Sequence, residues 1–265
     1  MTDKADMTYG GYLTLEPLLS AQHPVSDHHD EMLFIVIHQT KELWLKQIIH
    51  ELAVALELVR GDKLVEVHKN LSRVTRIQAV MTLSWDVLTT LTPSDYMQFR
   101  DVLGSSSGFQ SAQFRQFEFM LGLKEGAHLR HQPEGSPQHA ALAGALASPS
   151  LWDEANAALA RGGFDIPAEV LERDWSEPYR PNEAVEAAWA EVYRDTERWW
   201  RFYQLAEKLV DLDDAMAAWR HKHVVTVERV IGLKRGTGGT AGVPYLQSTL
   251  SKRAFPELWT LRTRL

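Results

Sequence analysis

From Leu64 to Leu88 the chain places Leu64, Val67, Leu71, Val74, Gln78, Met81, Trp85 and Leu88 three or four residues apart in alternation. Only a helix gathers such positions on one face, and a face that long needs further helices to cover it. The spacing predicts a helix from about Asp62 to Leu91, with Gln78 as the polar interruption of its seam. A helix from Asp27 to Arg60 precedes it, capped by Ser26 or Asp27 and stopped at Gly61. There Leu33, Ile37, Trp44, Ile48, Ala55 and Val59 share a face, while Lys41 and Glu51 fall inside the same arc. Phe34 and His38 sit one turn apart on the flank.

Further along, Thr92-Pro93-Ser94-Asp95 reads as a helix start with Thr as cap, Pro at the first position and an acid three residues on. That helix carries Tyr96, Phe99, Arg100 and Leu103 into the loop GSSSG at 104–108, and the aromatic-rich stretch at 109–122 is helical again. The region from Lys124 to Pro181 is the least regular and reads as short helices on the outside of a bundle. Long helices return from Asn182 to Val210 and from Leu212 to Ile231. The second presents Met216, Trp219, His223, Val227 and Val230 on one side and closes at Gly232. No segment alternates long enough for a sheet, and there is no internal repeat. The expected fold is all-α, a helical bundle with short connections, forming a single domain over residues 1–265.

Composition narrows the function. Hydrophobic residues at 45% and charged residues at 24% are the balance of a globular chain. A formal net charge of -7 argues against a nucleic-acid binder. No window reaches the apolar length of a membrane span, and the start MTDKADMTYGGYL lacks a signal-peptide pattern, so a cytoplasmic location with no membrane partner is expected. The absence of cysteine excludes disulfides, thiolate nucleophiles, iron–sulfur clusters and covalently attached c-type haem. Nine tryptophans and eleven histidines fit either large core residues with surface imidazoles or an aromatic pocket with working histidines.

Each candidate residue has two readings. His223, on an apolar helix face, is either a hydrogen-bonded core histidine or an axial iron ligand. His221 lies about 200° round the axis and cannot chelate with it. His38 beside Phe34 is a flank histidine or a polar group inside an apolar cavity. Arg100 covers the ring of Tyr96 or clamps a carboxylate with two parallel bonds. The segment GTGG at 236–239 is a linker or a lid whose Thr237 supplies a hydroxyl. A di-iron bundle needs two Glu-x-x-His pairs, and Glu125–His128 has no partner of that kind.

Four segments in order, MTYGGYL at 7–13, HHDEMLFIVIHQTKELWLKQ at 28–47, TPSDYMQFRDVLGSSSGFQS at 92–111 and WRHKHVVTVERVIGLKRGTGG at 219–239, resemble the tryptophan 2,3-dioxygenase family. The resemblance spans nearly the whole chain and is weakest over about 124–180. It implies a haem pocket between long helices, with one haem b per subunit, its iron ligated by His223, and O2 as co-substrate. It implies that His38 is the distal, catalytic histidine near the indole N–H. The turn Phe34, Ile35, Val36, Ile37, His38 matches the wall of the tryptophan pocket. Arg100, with Tyr96 beside it, matches the partner of the substrate carboxylate, and Thr237 the group that meets the ammonium. Ser107 and Gly108 match the loop against haem and substrate, and Trp85 a residue at the haem edge. Tyr9, Tyr12 and Leu13 match part of an N-terminal segment, 1–25, that reaches a neighbouring subunit's pocket, which implies a homotetramer. The implied reaction inserts O2 across the indole C2–C3 bond of L-tryptophan. It gives N-formyl-L-kynurenine, the first step of tryptophan catabolism by the kynurenine route. A haem-binding sensor or scaffold without turnover is the other reading of the same residues.

Overall fold

The computed structural model describes residues 7–265, and within them the secondary structure is helical throughout. Two short exposed helices, α1 (Tyr9–Leu13) and α2 (Leu15–Leu19), lead into α3 (His29–Arg60), a rod of 32 residues, ~48 Å long at the usual rise. α4 (Val67–Leu88), α5 (Pro93–Phe99) and α6 (Ala112–Leu121) follow. After them come α7 (Pro137–Ala147), α8 (Leu151–Arg161), α9 (Ala168–Leu171), α10 (Glu183–Arg194), α11 (Trp200–Ile231), α12 (Val243–Ser248) and α13 (Pro256–Thr260). α4 packs between α3 and α11, and α6 and α8 lie against α3. Among the described residues no helix is long and apolar enough to cross a membrane.

All eight residues of the seam read from the sequence are buried, Gln78 included; seven form the inner face of α4, and Leu64 lies in the turn before it. Gln78 donates Nε2 to Leu212 O at 3.2 Å on α11, while its Oε1 is buried without a partner, so the polar interruption links two helices through its amide nitrogen. Thr92 caps α5 as expected, accepting from Asp95 N while Asp95 Oδ2 accepts from Thr92 N at 3.1 Å.

Elsewhere the boundaries differ from those read in the sequence. α3 starts at His29, and neither Ser26 nor Asp27 caps it. Instead the buried Glu31 carboxylate reaches back and accepts from Val25 N and Ser26 N, both at 2.8 Å, tying the entering strand of chain to the first turn. α4 starts at Val67 because Asp62 takes a left-handed φ of 56° and Arg161 grips its carboxylate at 3.0 Å. The helix expected from Asn182 to Val210 stops at Arg194, since Asp195 leaves the helical region and its carboxylate accepts from Arg198 N. The helix then runs unbroken from Trp200 through 211 to Ile231. It crosses 213 because the buried Asp213 carboxylate accepts from Ala254 N and from Trp259 Nε1. α8 is not peripheral: Leu151, Trp152, Ala155 and Leu159 are fully buried, and Trp152 stacks on Trp189 of α10 at 5.6 Å.

Two apolar clusters result. The larger fills the space between α3, α4, α8, α10 and α11, and the smaller gathers Ile37, Trp85, Leu88, Leu91, Tyr96, Phe99 and Val230. Trp219 packs against both.

Candidate active site

A cavity of about 650 Å³ is walled by α3, α4, α5, α6, α11 and α12, within the ~300–1,000 Å³ usual for ligand and cofactor sites. Phe34, Ile35 and His38 enter it from α3. Val36 and Ile37 do not: Val36 is 42% exposed on the outer face, and Ile37 packs in the smaller cluster. Successive helical residues turn by about 100°, so one turn cannot aim five side chains at one cavity. Trp85, Tyr96, Arg100, Ser107, Gly108, His223 and Thr237 all line it. Tyr9, Tyr12 and Leu13 are not among its lining residues, and Tyr9 and Tyr12 are 76% and 71% exposed. The first six residues of the segment 1–25 lie outside the described part of the chain.

His38 Nδ1 bonds to Phe34 O at 2.7 Å, and its ring lies 4.2 Å from that of Phe34. The carbonyl can only accept, so Nδ1 carries the proton and Nε2 is left as an acceptor. His223 stacks on Trp85 at 4.4 Å with the planes 11° apart, and Trp219 stands 5.2 Å away on its tilted side. Burial holds both imidazoles neutral. Burial, opposed by the Phe34 carbonyl and aided by the Lys41 charge, brings His38 to about 4. It lowers His223 to about 3, with Lys41, His38 and Arg115 adding to the effect. A neutral imidazole is the form that ligates a metal.

This depression has a signed consequence for stability. The unfolded chain takes up protons at these positions near pH 6.5, and the folded chain does so only near 4 and 3. The part of the ligand-free protein's stability that depends on these two groups is therefore complete above about pH 6.5 and falls as the pH drops toward 4, by about 3 kcal/mol for His38 alone. Urea midpoints at pH 7 and pH 4.5 should differ accordingly, and the difference should shrink in His38→Gln. Equal midpoints for the wild-type protein would show that its imidazoles are not buried as neutral groups.

The rim is built from two loops. Arg100 Nη2 donates to Arg235 O at 2.8 Å, and Thr237 Oγ1 donates to Ser106 O at 2.5 Å. A Cβ at Gly238 would stand 2.7 Å from Ser107 Cβ, so glycine is what lets the 236–239 loop lie on the 104–108 loop. Burial pushes the Tyr96 phenol up, with the neighbouring Arg100 guanidinium opposing it.

Several lining residues were not singled out in the sequence. Arg115 and Arg220 both bind the Glu118 carboxylate, at 2.6 and 2.8 Å, beside Phe109 and Tyr245. Lys41 projects among Trp85 and the two histidines, and burial brings its ammonium down to about 7. The signal for Lys41 was its place inside an apolar arc; nothing marked Arg115 or Arg220. By contrast, Glu125 bonds to His128 at 3.2 Å and pairs with Lys252, so it serves as an ion-pair centre.

Fit to a large, partly anionic guest can be tested on buried polar atoms. Lys41 Nζ, Trp85 Nε1, Arg100 Nε, Arg115 Nε, Trp219 Nε1 and Thr226 Oγ1 are buried without a hydrogen-bond partner. All six residues line this one cavity. Buried donors are normally paired, and three of these belong to cations, which suits carboxylates carried on an apolar frame.

Fold and site together define an all-helical protein with a cavity between its long helices that is lined by aromatic rings and by buried, unpaired cationic donors. A family model described as Tryptophan 2,3-dioxygenase matches residues 1–134 and 127–265. The tryptophan 2,3-dioxygenase of Caulobacter vibrioides is 62% identical over 260 residues, 98% of this chain and 99% of its own length. Those of Bacillus cereus and Bordetella pertussis are 53% and 52% identical, covering 99% and 98% of this chain and 94% and 92% of theirs. The chain belongs to the tryptophan 2,3-dioxygenase family.

Proposed function

We propose that this protein opens the indole ring of L-tryptophan with O2, yielding N-formyl-L-kynurenine, on a haem b held by His223. The carrying observation is that two neutral imidazoles from different helices, His38 and His223, share one cavity whose rim holds Arg100 and Thr237. Bound haem supplies the redox chemistry with O2; the protein supplies binding, orientation and electrostatics.

His223 would hold the haem iron through a ring nitrogen, and the Arg115 guanidinium, with its buried unpaired Nε, would partner a haem carboxylate. Arg100 binds the tryptophan carboxylate, also through an unpaired Nε. Thr237 Oγ1 keeps its donated bond to Ser106 O and accepts from the ammonium, which fixes both ends of the amino-acid group. The Phe34 ring packs the indole, and His38 Nε2 accepts its N–H. These contacts hold C2 and C3 in one orientation, so the gain is mainly entropic. The 104–108 and 236–239 loops close over the guest and exclude water. We extend the reading to a cytoplasmic homotetramer in which exposed Tyr9, Tyr12 and Leu13 cover a neighbour's cavity.

The test is direct. Protein reconstituted with haemin and reduced should produce N-formylkynurenine absorbance when L-tryptophan is added in air. Haem uptake without that product would make the protein a sensor or scaffold, and no haem uptake at all would end the cofactor reading.

A further inference from the structure

Lys41 is a charged residue where the packing offers it no acid. It is 6% exposed, its Nζ has no hydrogen-bond partner, and it lies three residues after His38 on α3. The ammonium sits 3.0 Å from the centroid of the Trp85 indole, where the ring's quadrupole attracts a cation. Trp85 in turn stacks on His223, 4.4 Å away and nearly parallel. The far side of this group is closed by Trp219, 5.5 Å from Trp85 and itself stacked on Phe114 at 4.8 Å. Lys41, Trp85 and His223 thus form a continuous series of contacts from α3 through α4 to α11, along one wall of the cavity.

Two physical effects follow. A cation on the indole face opposes rotation of that ring, and the stacked imidazole then has one favoured plane. Burial brings the Lys41 ammonium down to about 7, so its charge is fully present below that pH, and in a poorly solvated wall it acts at long range because little water screens it. Iron held by the imidazole would feel that charge more strongly in its ferric than in its ferrous form. A cost to the fold accompanies this, since an apolar side chain of similar length would avoid burying an unpaired charge.

We propose that Lys41 is a positioning residue for the His223 imidazole: through Trp85 it fixes the plane of that ring and, by its charge, would favour the reduced state of iron held there. The proposal rests on the reading of His223 as the haem ligand. It assigns Lys41 no contact with tryptophan.

The experiment compares haem-loaded wild type with Lys41→Met, Lys41→Gln and Lys41→Arg. Each is titrated at pH 6, where Lys41 is protonated, for its one-electron midpoint potential, and the ferrous iron–imidazole stretching band is recorded by resonance Raman. In the Met and Gln variants the ferrous-to-ferric ratio at a fixed ambient potential should fall about tenfold, or 59 mV for one electron. Their iron–imidazole band should shift or broaden. The Arg variant, which keeps the charge, should stay within about twofold of wild type. Ligand-free Lys41→Met should also melt above wild type. If it melts lower, Lys41 is a structural residue and the proposal is overturned. If the Met variant does not fold, the Gln variant alone decides. A wild-type spectrum without imidazole ligation defeats the ligand reading and this proposal together. Ligation retained with an unmoved potential in the neutral variants defeats this proposal alone.

Discussion

His223→Ala is expected to fold and to lose its hold on haem. The substitution sits in the middle of α11, a helix of 32 residues whose inner face is secured by Leu205, Leu209, Leu212, Met216, Val224 and Val230. Alanine is the best helix former, so the backbone gains slightly in intrinsic preference. What is lost is the stacking partner of Trp85 and the ring nitrogen available to iron. Loss of groups that only orient a metal ligand already costs about 10–100-fold in metal affinity. Loss of the sole protein ligand should exceed that, and the apolar walls cannot compensate through area alone. Haemin titration followed by gel filtration checks this: helical circular dichroism should match wild type while bound haem falls below about a hundredth at equal free haemin. Under the same assignment His38→Ala should keep haem, because His38 Nε2, left free by the Nδ1 bond to Phe34 O, is assigned to the indole N–H and not to iron. Added imidazole should restore haem to His223→Ala and leave His38→Ala unchanged. Full haem retention with an unaltered Soret band in His223→Ala would defeat the ligand assignment. Loss of haem from His38→Ala instead would transfer that role to the other helix.

The contrast between these two histidines also shows what a sequence can and cannot say about such a site. Periodicity placed His223 on the inner face of its helix and His38 beside Phe34, and both are where that geometry requires. The α4 seam and the Thr92 capping box were legible for the same reason: each depends on residues within a few positions of one another. The errors fall where distant residues decide. Glu31 replaces the expected cap of α3 by reaching back to Val25 and Ser26. α11 continues through 211 because Asp213 binds backbone contributed forty residues later. α8 lies in the least regular region and reads as peripheral with it, yet Trp152 finds a stacking partner on α10 and draws the helix inside. The same limit hid Arg115 and Arg220, whose shared carboxylate on Glu118 makes sense only once α6 and α11 are side by side. Lys41 was visible as an anomaly in an apolar arc, but its meaning depends on Trp85, which lies on another helix. Within the five-residue turn at 34–38, helical rotation separates cavity residues from outward ones, and a motif match alone does not make that distinction.

Arg100→Ala should cost about 2–5 kcal/mol of transition-state binding for L-tryptophan, read as kcat/KM. The residue lies at the end of α5, where Phe99 is fully buried and anchors the turn, so the backbone beneath the guanidinium is well fixed. One edge of the guanidinium donates Nη2 to Arg235 O, while Nε is buried without a partner. A guanidinium tied by one nitrogen and free at another is pre-aimed, and a carboxylate that accepts from it does not have to order a loose side chain first. Removing it leaves the substrate carboxylate desolvated without its charged partner, which is the larger part of the loss. The hydrogen bond to Arg235 O disappears as well, and the 236–239 loop loses a tether to α5. The loss should therefore divide: KM rises through the missing ion pair, and kcat falls because the indole is less closely held. Arg100→Lys should recover only part, since an ammonium keeps the charge but not the two parallel donors. Tryptamine, which lacks the carboxylate, gives an independent check. If Arg100 acts on that group, wild type and Arg100→Ala should differ little with tryptamine and greatly with tryptophan. Equal losses with both substrates would make Arg100 a loop anchor through Arg235, and an unchanged kcat/KM for tryptophan would remove it from the site altogether.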